Sequence, residues 1–110
     1  MKVEEKGHTA IIKDTNGNAA DFLKKVTAEY SSFKNKNIIL DISRNKNMEL
    51  THLLTFLSLS NKHRKIKKSF VIVIEDFDFN EVPEEMMVVP TLQEAKDVIE
   101  MEEIERDLGF

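Results

Sequence analysis

The sequence predicts an α/β fold: a mixed sheet of four to five strands with about three helices, packed mainly on one face. Three observations predict it. Asn37–Ser43 and Ser69–Ile74 are short apolar runs free of Pro and Gly, so they read as buried central strands. The segments between and after them repeat their apolar residues every three or four positions, which is the helical period. Strand and helix signals alternate along the chain, as they do in βαβ units. With 110 residues, 41% of them hydrophobic and only two Pro and three Gly, residues 1–110 read as a single domain able to form its own core.

Each element has its own signal. Lys2–Lys6 and His8–Asp14 read as two extended segments with Gly7 between them, where a tight turn needs positive φ. Thr15-Asn16-Gly17-Asn18 is a cluster of turn formers that ends the hairpin. From Ala19 to Phe33, residues Phe22, Leu23, Val26, Tyr30 and Phe33 share a helical face. Asn18 suits the N-cap of that helix, and Asp21 places a negative charge in its first turn. The strand Asn37–Ser43 follows, and its Asp41 needs a hydrogen-bonding partner such as loop amides. A continuous helix is expected from Glu49 to Lys67, with Leu50, Leu53, Leu54 and Leu57 as its apolar stripe.

After the strand Ser69–Ile74 comes an acidic, irregular stretch, Glu75–Glu85, in which Phe77 and Phe79 alternate with Asp76 and Asp78. Met86–Val89 reads as a last short strand, ended by Pro90. Thr91-Leu92-Gln93-Glu94 is a capping-box pattern that opens a helix from Leu92 to about Leu108. Leu92, Ala95, Val98, Ile99 and Ile104 are its apolar positions, and Gly109 suits its C′ position.

Composition excludes several chemistries. No Cys is present, so there is no disulfide scaffold, thiolate site or Cys nucleophile. The glycines are isolated, so neither a P-loop nor a dinucleotide-binding fingerprint can be drawn. His8, His52 and His63 lack the close pair spacing of a zinc site, and no Ser or Thr has a base beside it in sequence. No catalytic residue, metal site or cofactor is therefore expected. Asp76 and Asp78 follow a central strand, where a divalent cation or simply solvent would meet them. Net charge is −4, which disfavours nucleic-acid binding. The charge is nevertheless segregated. Lys62, His63, Arg64, Lys65, Lys67 and Lys68 form a basic block, and Glu94–Asp107 is acidic. These blocks read as solvated helix faces, with His63 in solvent, as a docking surface, or as partners of each other. The opening MKVEEKGHT has no apolar core of a signal peptide, and no apolar run approaches the ~20 residues of a membrane span, so a cytoplasmic protein is expected.

Four stretches in order, MKVEEKGHTAIIKD, NIILDIS, RNKNMELTHLL running on to SFVIVI, and MVVPTLQEAKDVIE, together cover almost the whole chain. In that order they resemble the STAS domain, the module of sulfate transporters and anti-sigma factor antagonists. The resemblance implies a regulatory module that binds a protein partner, with a kinase-like anti-sigma factor as the partner class. In STAS regulators the signature loop reads roughly Met-Asp-Ser-Ser-Gly-Leu, and its first Ser is phosphorylated. Aligning Met48 and Leu53 with that loop puts Glu49 at the Asp, Leu50 at the phosphorylated Ser, Thr51 at the second Ser and His52 at the Gly. Leu accepts no phosphate, so the switch is missing or has moved to Thr51. The implied partner-binding residues are Arg44, Asn45, Lys46, Asn47, Glu49, Thr51, His52 and Thr55. A second likeness is of the ending EMEEIERDLGF, similar to small bacterial proteins that carry the name ribonuclease Z. The chain lacks the His-x-His-x-Asp-His motif of that enzyme, so this likeness implies at most a tRNA-processing accessory.

Overall fold

The computed structural model describes residues 1–109. The strands are β1 (Lys2–Lys6), β2 (Thr9–Lys13), β3 (Asn37–Asp41), β4 (Phe70–Val73) and β5 (Met87–Val89). The helices are α1 (Ala19–Ala28), α2 (Leu50–Leu54), α3 (Leu57–Lys65) and α4 (Leu92–Asp107), with short 3₁₀ turns at Tyr30–Ser32 and Phe79–Glu81. The strands form one sheet in the order β1-β2-β3-β4-β5. β1 runs antiparallel to β2, and every later neighbour is parallel. Gly7, at φ +57, makes the β1–β2 turn. A two-residue connection reverses the chain, whereas each parallel step needs a crossover.

The pleat sorts the side chains. Ala10, Ile12, Ile38, Leu40, Ile42, Phe70, Ile72 and Ile74 face one layer, where Phe22, Val26 and Tyr30 with Leu53, Phe56 and Leu59 cover them. Ile11, Ile39, Val71 and Val73 face the other, against Ala95 and Ile99 of α4. Helices α1, α2 and α3 thus share one face and α4 lies on the opposite one. The connection from β4 to β5 has no α-helix. Phe77, Val82 and Met86 take the place of one by packing on the larger core. That explains why an acidic stretch keeps these apolar residues.

The helix expected over Glu49–Lys67 is in two pieces. Thr55 N–H bonds the His52 carbonyl and Phe56 N–H bonds the Leu53 carbonyl, both i to i−3. This tighter step shifts the helical phase by a fraction of a turn. The expected stripe therefore reaches the core at Leu53 and, partly buried, at Leu57. Leu54 is exposed, and burial passes to Phe56, Leu59, Ser60 and His63. Phe56 is fully buried, and its fit to the core offsets the poorer hydrogen-bond geometry of the break.

His63 corrects a second expectation. It is not solvated with the basic block but fully buried. Its Nδ1 lies 2.7 Å from the Tyr30 hydroxyl and its Nε2 lies 2.7 Å from the Lys36 carbonyl. A carbonyl only accepts, so Nε2 carries the proton and Nδ1 accepts from Tyr30. Burial pushes the imidazole below its ordinary pKa. The bond to Lys36 opposes that shift, and the positive charges of Lys68 and Arg64 add to it. Burial also raises the Tyr30 phenol.

At the amino ends of β3 and β4, α4 is tied to the sheet by polar groups. The buried Asn37 accepts from Ser69 N–H at 2.9 Å and from Arg106 at 3.3 Å, and donates to Glu103 at 3.2 Å. Arg64 pairs with Glu102 at 3.3 Å, so the basic and acidic blocks do meet within the fold. Thr91 caps α4 by accepting from Glu94 N–H, which is the first half of the expected capping box; the return bond from Thr91 N–H to the Glu94 carboxylate is not made. Ile104 departs from expectation. It points away from the sheet and is 54% exposed.

Candidate functional site

The carboxyl ends of β2 and β3 carry two loops, 14–18 and 42–49, and α/β proteins commonly bind ligands at this end of the sheet. Asp14 fixes the first loop. It is 3% exposed, and its Oδ1 accepts from the amides of Asn16 at 3.0 Å and Gly17 at 3.1 Å. Its Oδ2 accepts from Asn45 Nδ2 at 2.9 Å, which joins the two loops. Asn45 also donates to the Ile42 carbonyl at 3.1 Å and accepts from the first amide of α1, Ala19 N–H, at 3.0 Å. A buried carboxylate with three donors is satisfied, and hydrogen bonds to a charged group contribute about 1.5–3 kcal/mol each. Gly17 sits at φ +71, where a Cβ would meet the Arg44 carbonyl at 3.4 Å. The two loops consequently form one rigid unit.

An open cavity of about 360 Å³ lies beside that unit. Gly17–Ala20 at the start of α1 form one wall, and Asn45–Met48 with His52 and Thr55 form the other. Asn47 turns the chain in the left-handed region, at φ +56. Across the ridge of the 44–47 loop, Arg44 and Lys46 border a second recess of about 480 Å³, with Lys13, Asp41, Ser43 and Glu75. Asp41 accepts from Ser43 N–H at 3.0 Å, which meets its need for a loop amide. The implied partner-binding residues thus distribute around one end of the molecule. Asn45, Lys46, Asn47, His52 and Thr55 line the first cavity, Arg44 and Lys46 the second, and Glu49 and Thr51 are exposed at the start of α2. Leu50, at the position of the phosphorylated Ser, is half-buried.

The polar groups of α2 are largely engaged with their own backbone. His52 Nδ1 accepts from Glu49 N–H at 3.2 Å, and the Thr55 hydroxyl donates to the His52 carbonyl at 2.6 Å. The hydroxyl is thus directed to a carbonyl and not to an imidazole that would take its proton. In the acidic loop, Asp78 caps Asn80 N–H at 3.1 Å and Asp76 is exposed at φ +51. Among the described residues, no group of three or more His, Cys, Asp or Glu side chains converges on a metal-sized site. No helix of the described residues is long and apolar enough to cross a membrane.

Sequence reasoning did not single out Asp14 and assigned Asn45 to the partner, although the Asn45 amide is occupied by the two loops and α1. The signal for Asp14 lies in Asp14-Thr15-Asn16-Gly17, an Asx-turn sequence directly after a strand. No protein-family model matches the sequence, and no curated protein matches it.

Proposed function

We propose that the chain is a non-catalytic, STAS-like protein–protein interaction module of the anti-sigma factor antagonist kind. Its partner is a kinase-like anti-sigma factor or a related cytoplasmic regulator. The supporting observation is the continuous surface at the carboxyl ends of β2 and β3. There Lys46, Asn47, His52 and Thr55 border a cavity, with Arg44, Glu49 and Thr51 exposed around it. A rigid loop unit held by Asp14 and Asn45 presents these groups with little left to order on binding, which limits the entropic cost of docking. With Leu50 at the phosphoacceptor position, the module is permanently set for its partner.

The test has two parts. Purified chain is titrated against an ATP-binding anti-sigma factor from the same cell, with Lys46→Glu and Thr51→Arg as surface variants. Binding that both variants weaken tenfold or more, about 1.4 kcal/mol, without a change in thermal midpoint supports the docking surface. Unchanged binding, or capture of RNA in place of a protein, overturns it. Incubation with the kinase and labelled ATP tests the permanent setting. Absence of label on Thr51 supports it, and stoichiometric labelling refutes it.

A further inference from the structure

Strand β1 has a neighbour on one side only, and all of its residues, Lys2–Lys6, are exposed. Its free edge can be read from the hydrogen bonds of β2. Asn37 N–H bonds the His8 carbonyl and Asp14 N–H bonds the Asp41 carbonyl, so the even-numbered residues along β2 turn their backbone groups to β3. Thr9, Ile11 and Lys13 therefore turn theirs to Lys6, Glu4 and Lys2, their register partners in β1. Backbone direction alternates along a strand, so the N–H and C=O of Val3 and Glu5 point outward, where no strand meets them. Side chains alternate too. Lys2, Glu4 and Lys6 stand on the α4 face with Ile11, and Val3 and Glu5 stand on the opposite face with Ile12.

An open edge invites a further strand, and charged side chains ordinarily discourage it. In β1 the charges exclude most pairings and leave one. Two copies related by a two-fold axis normal to the sheet pair their β1 strands antiparallel, and the axis passes between one residue and its own copy. Centred on Lys2, Glu4, Glu5 or Lys6, that pairing sets two like charges face to face. Centred on Val3, it sets this 42% exposed side chain against its copy, and the two outward N–H groups donate to the two outward carbonyls. The same register puts Lys2 opposite Glu4 of the second copy, and Glu4 opposite its Lys2. Lys2 has no such partner within its own chain. It lies directly opposite Lys13, a like charge, and neither has a carboxylate within ion-pairing distance among the described residues.

We propose that β1 is a homodimer edge, at which two copies pair about Val3 and join their sheets into one. One strand against one strand is a small contact, so association is of the weak class, with a dissociation constant of about 10–500 µM. None of the residues of the proposed partner surface lies in β1, so this inference and the proposed function are tested separately.

Sedimentation equilibrium of the full chain from about 5 µM to 1 mM tests it. The expected result is a monomer–dimer equilibrium that weakens with added salt. Val3→Pro removes an outward N–H that an edge strand does not use, so the far-UV spectrum is unchanged while the dissociation constant rises about tenfold or more. Lys2→Glu and Glu4→Lys, both at exposed positions, each turn the two cross-copy ion pairs into like pairs and raise it about tenfold or more. An equimolar mixture of these two variants restores both opposite-charge pairs, and association returns to within about threefold of wild type. A single monomeric species throughout overturns the proposal. So does a dimer that Val3→Pro leaves intact, or a pair of charge variants that do not complement each other on mixing.

Discussion

Replacing His63 by Leu removes a buried hub while keeping a similar volume. In the native chain the His63 ring joins Tyr30, at the 3₁₀ turn after α1, to the Lys36 carbonyl just before β3. Leu leaves the Tyr30 hydroxyl and that carbonyl unpaired in an environment that is 8% exposed at Tyr30. Each orphaned buried group costs about 1–3 kcal/mol, so the variant should lose about 3–4 kcal/mol. Against the 5–15 kcal/mol typical of domains, that leaves a folded protein with a much lower urea midpoint.

The pH dependence is the sharper readout. Burial holds the folded pKa of His63 below its ordinary value of 6.5, so between those two values the unfolded chain binds a proton that the native one excludes. Wild-type stability therefore falls as pH drops below 6.5, with a His63 contribution of up to about 1.4 kcal/mol per pH unit, and levels off below the folded pKa. Above 6.5 this contribution is flat. Urea titrations at a series of pH values from 7.5 to 5, roughly the span in which an imidazole titrates, measure it. The difference between wild type and His63→Leu should shrink steadily on acidification. Parallel curves for the two proteins across that range would refute both the neutral Nε2–H assignment and the linkage drawn from it.

Tyr30→Phe removes the donor to His63 Nδ1 and should cost about 1–2 kcal/mol, read by the same urea titration. Asn45→Ala deprives the buried Asp14 of a donor and unties the two loops from α1. It should cost about 2–3 kcal/mol and raise amide exchange at Asn16, Gly17 and Ala19. Gly17→Ala forces a side chain into φ +71 against the Arg44 carbonyl, and calorimetry should show a loss of about 1–2 kcal/mol. Thr55→Val, at an exposed position, should change stability by less than about 1 kcal/mol.

The strands were legible because their signals are local. Ile38–Leu40 and Phe70–Ile74 are continuous apolar runs, and a run that short and that apolar has to be buried on both faces. The caps at Asn18 and Thr91 were legible for the same reason, since each bonds an amide three residues on. The break at Thr55–Phe56 was not. Leu50, Leu53, Leu54 and Leu57 satisfy a continuous helix as well as they satisfy their real positions. Only the space under Phe56 in the assembled core makes the 3₁₀ step favourable. The candidate site was legible as a loop and helix start, from Arg44 to Thr55. Its internal support was not, because the Asp14–Asn45 bond spans 31 positions.

What the sequence determined by itself is the period and the punctuation. It set which segments are strands or helices, where they are capped, and that the chain has no thiol, no P-loop or dinucleotide-binding motif and no closely spaced histidine pair. Tertiary structure decided which polar residues are surface and which are framework. His63 and Asp14 read as ordinary charged or polar positions, yet each is buried and held by a bond from a distant segment. The physical reason is that burying a polar group is tolerable only when its partners are in place. Those partners arrive only when the sheet brings β2, β3 and the helices above them together.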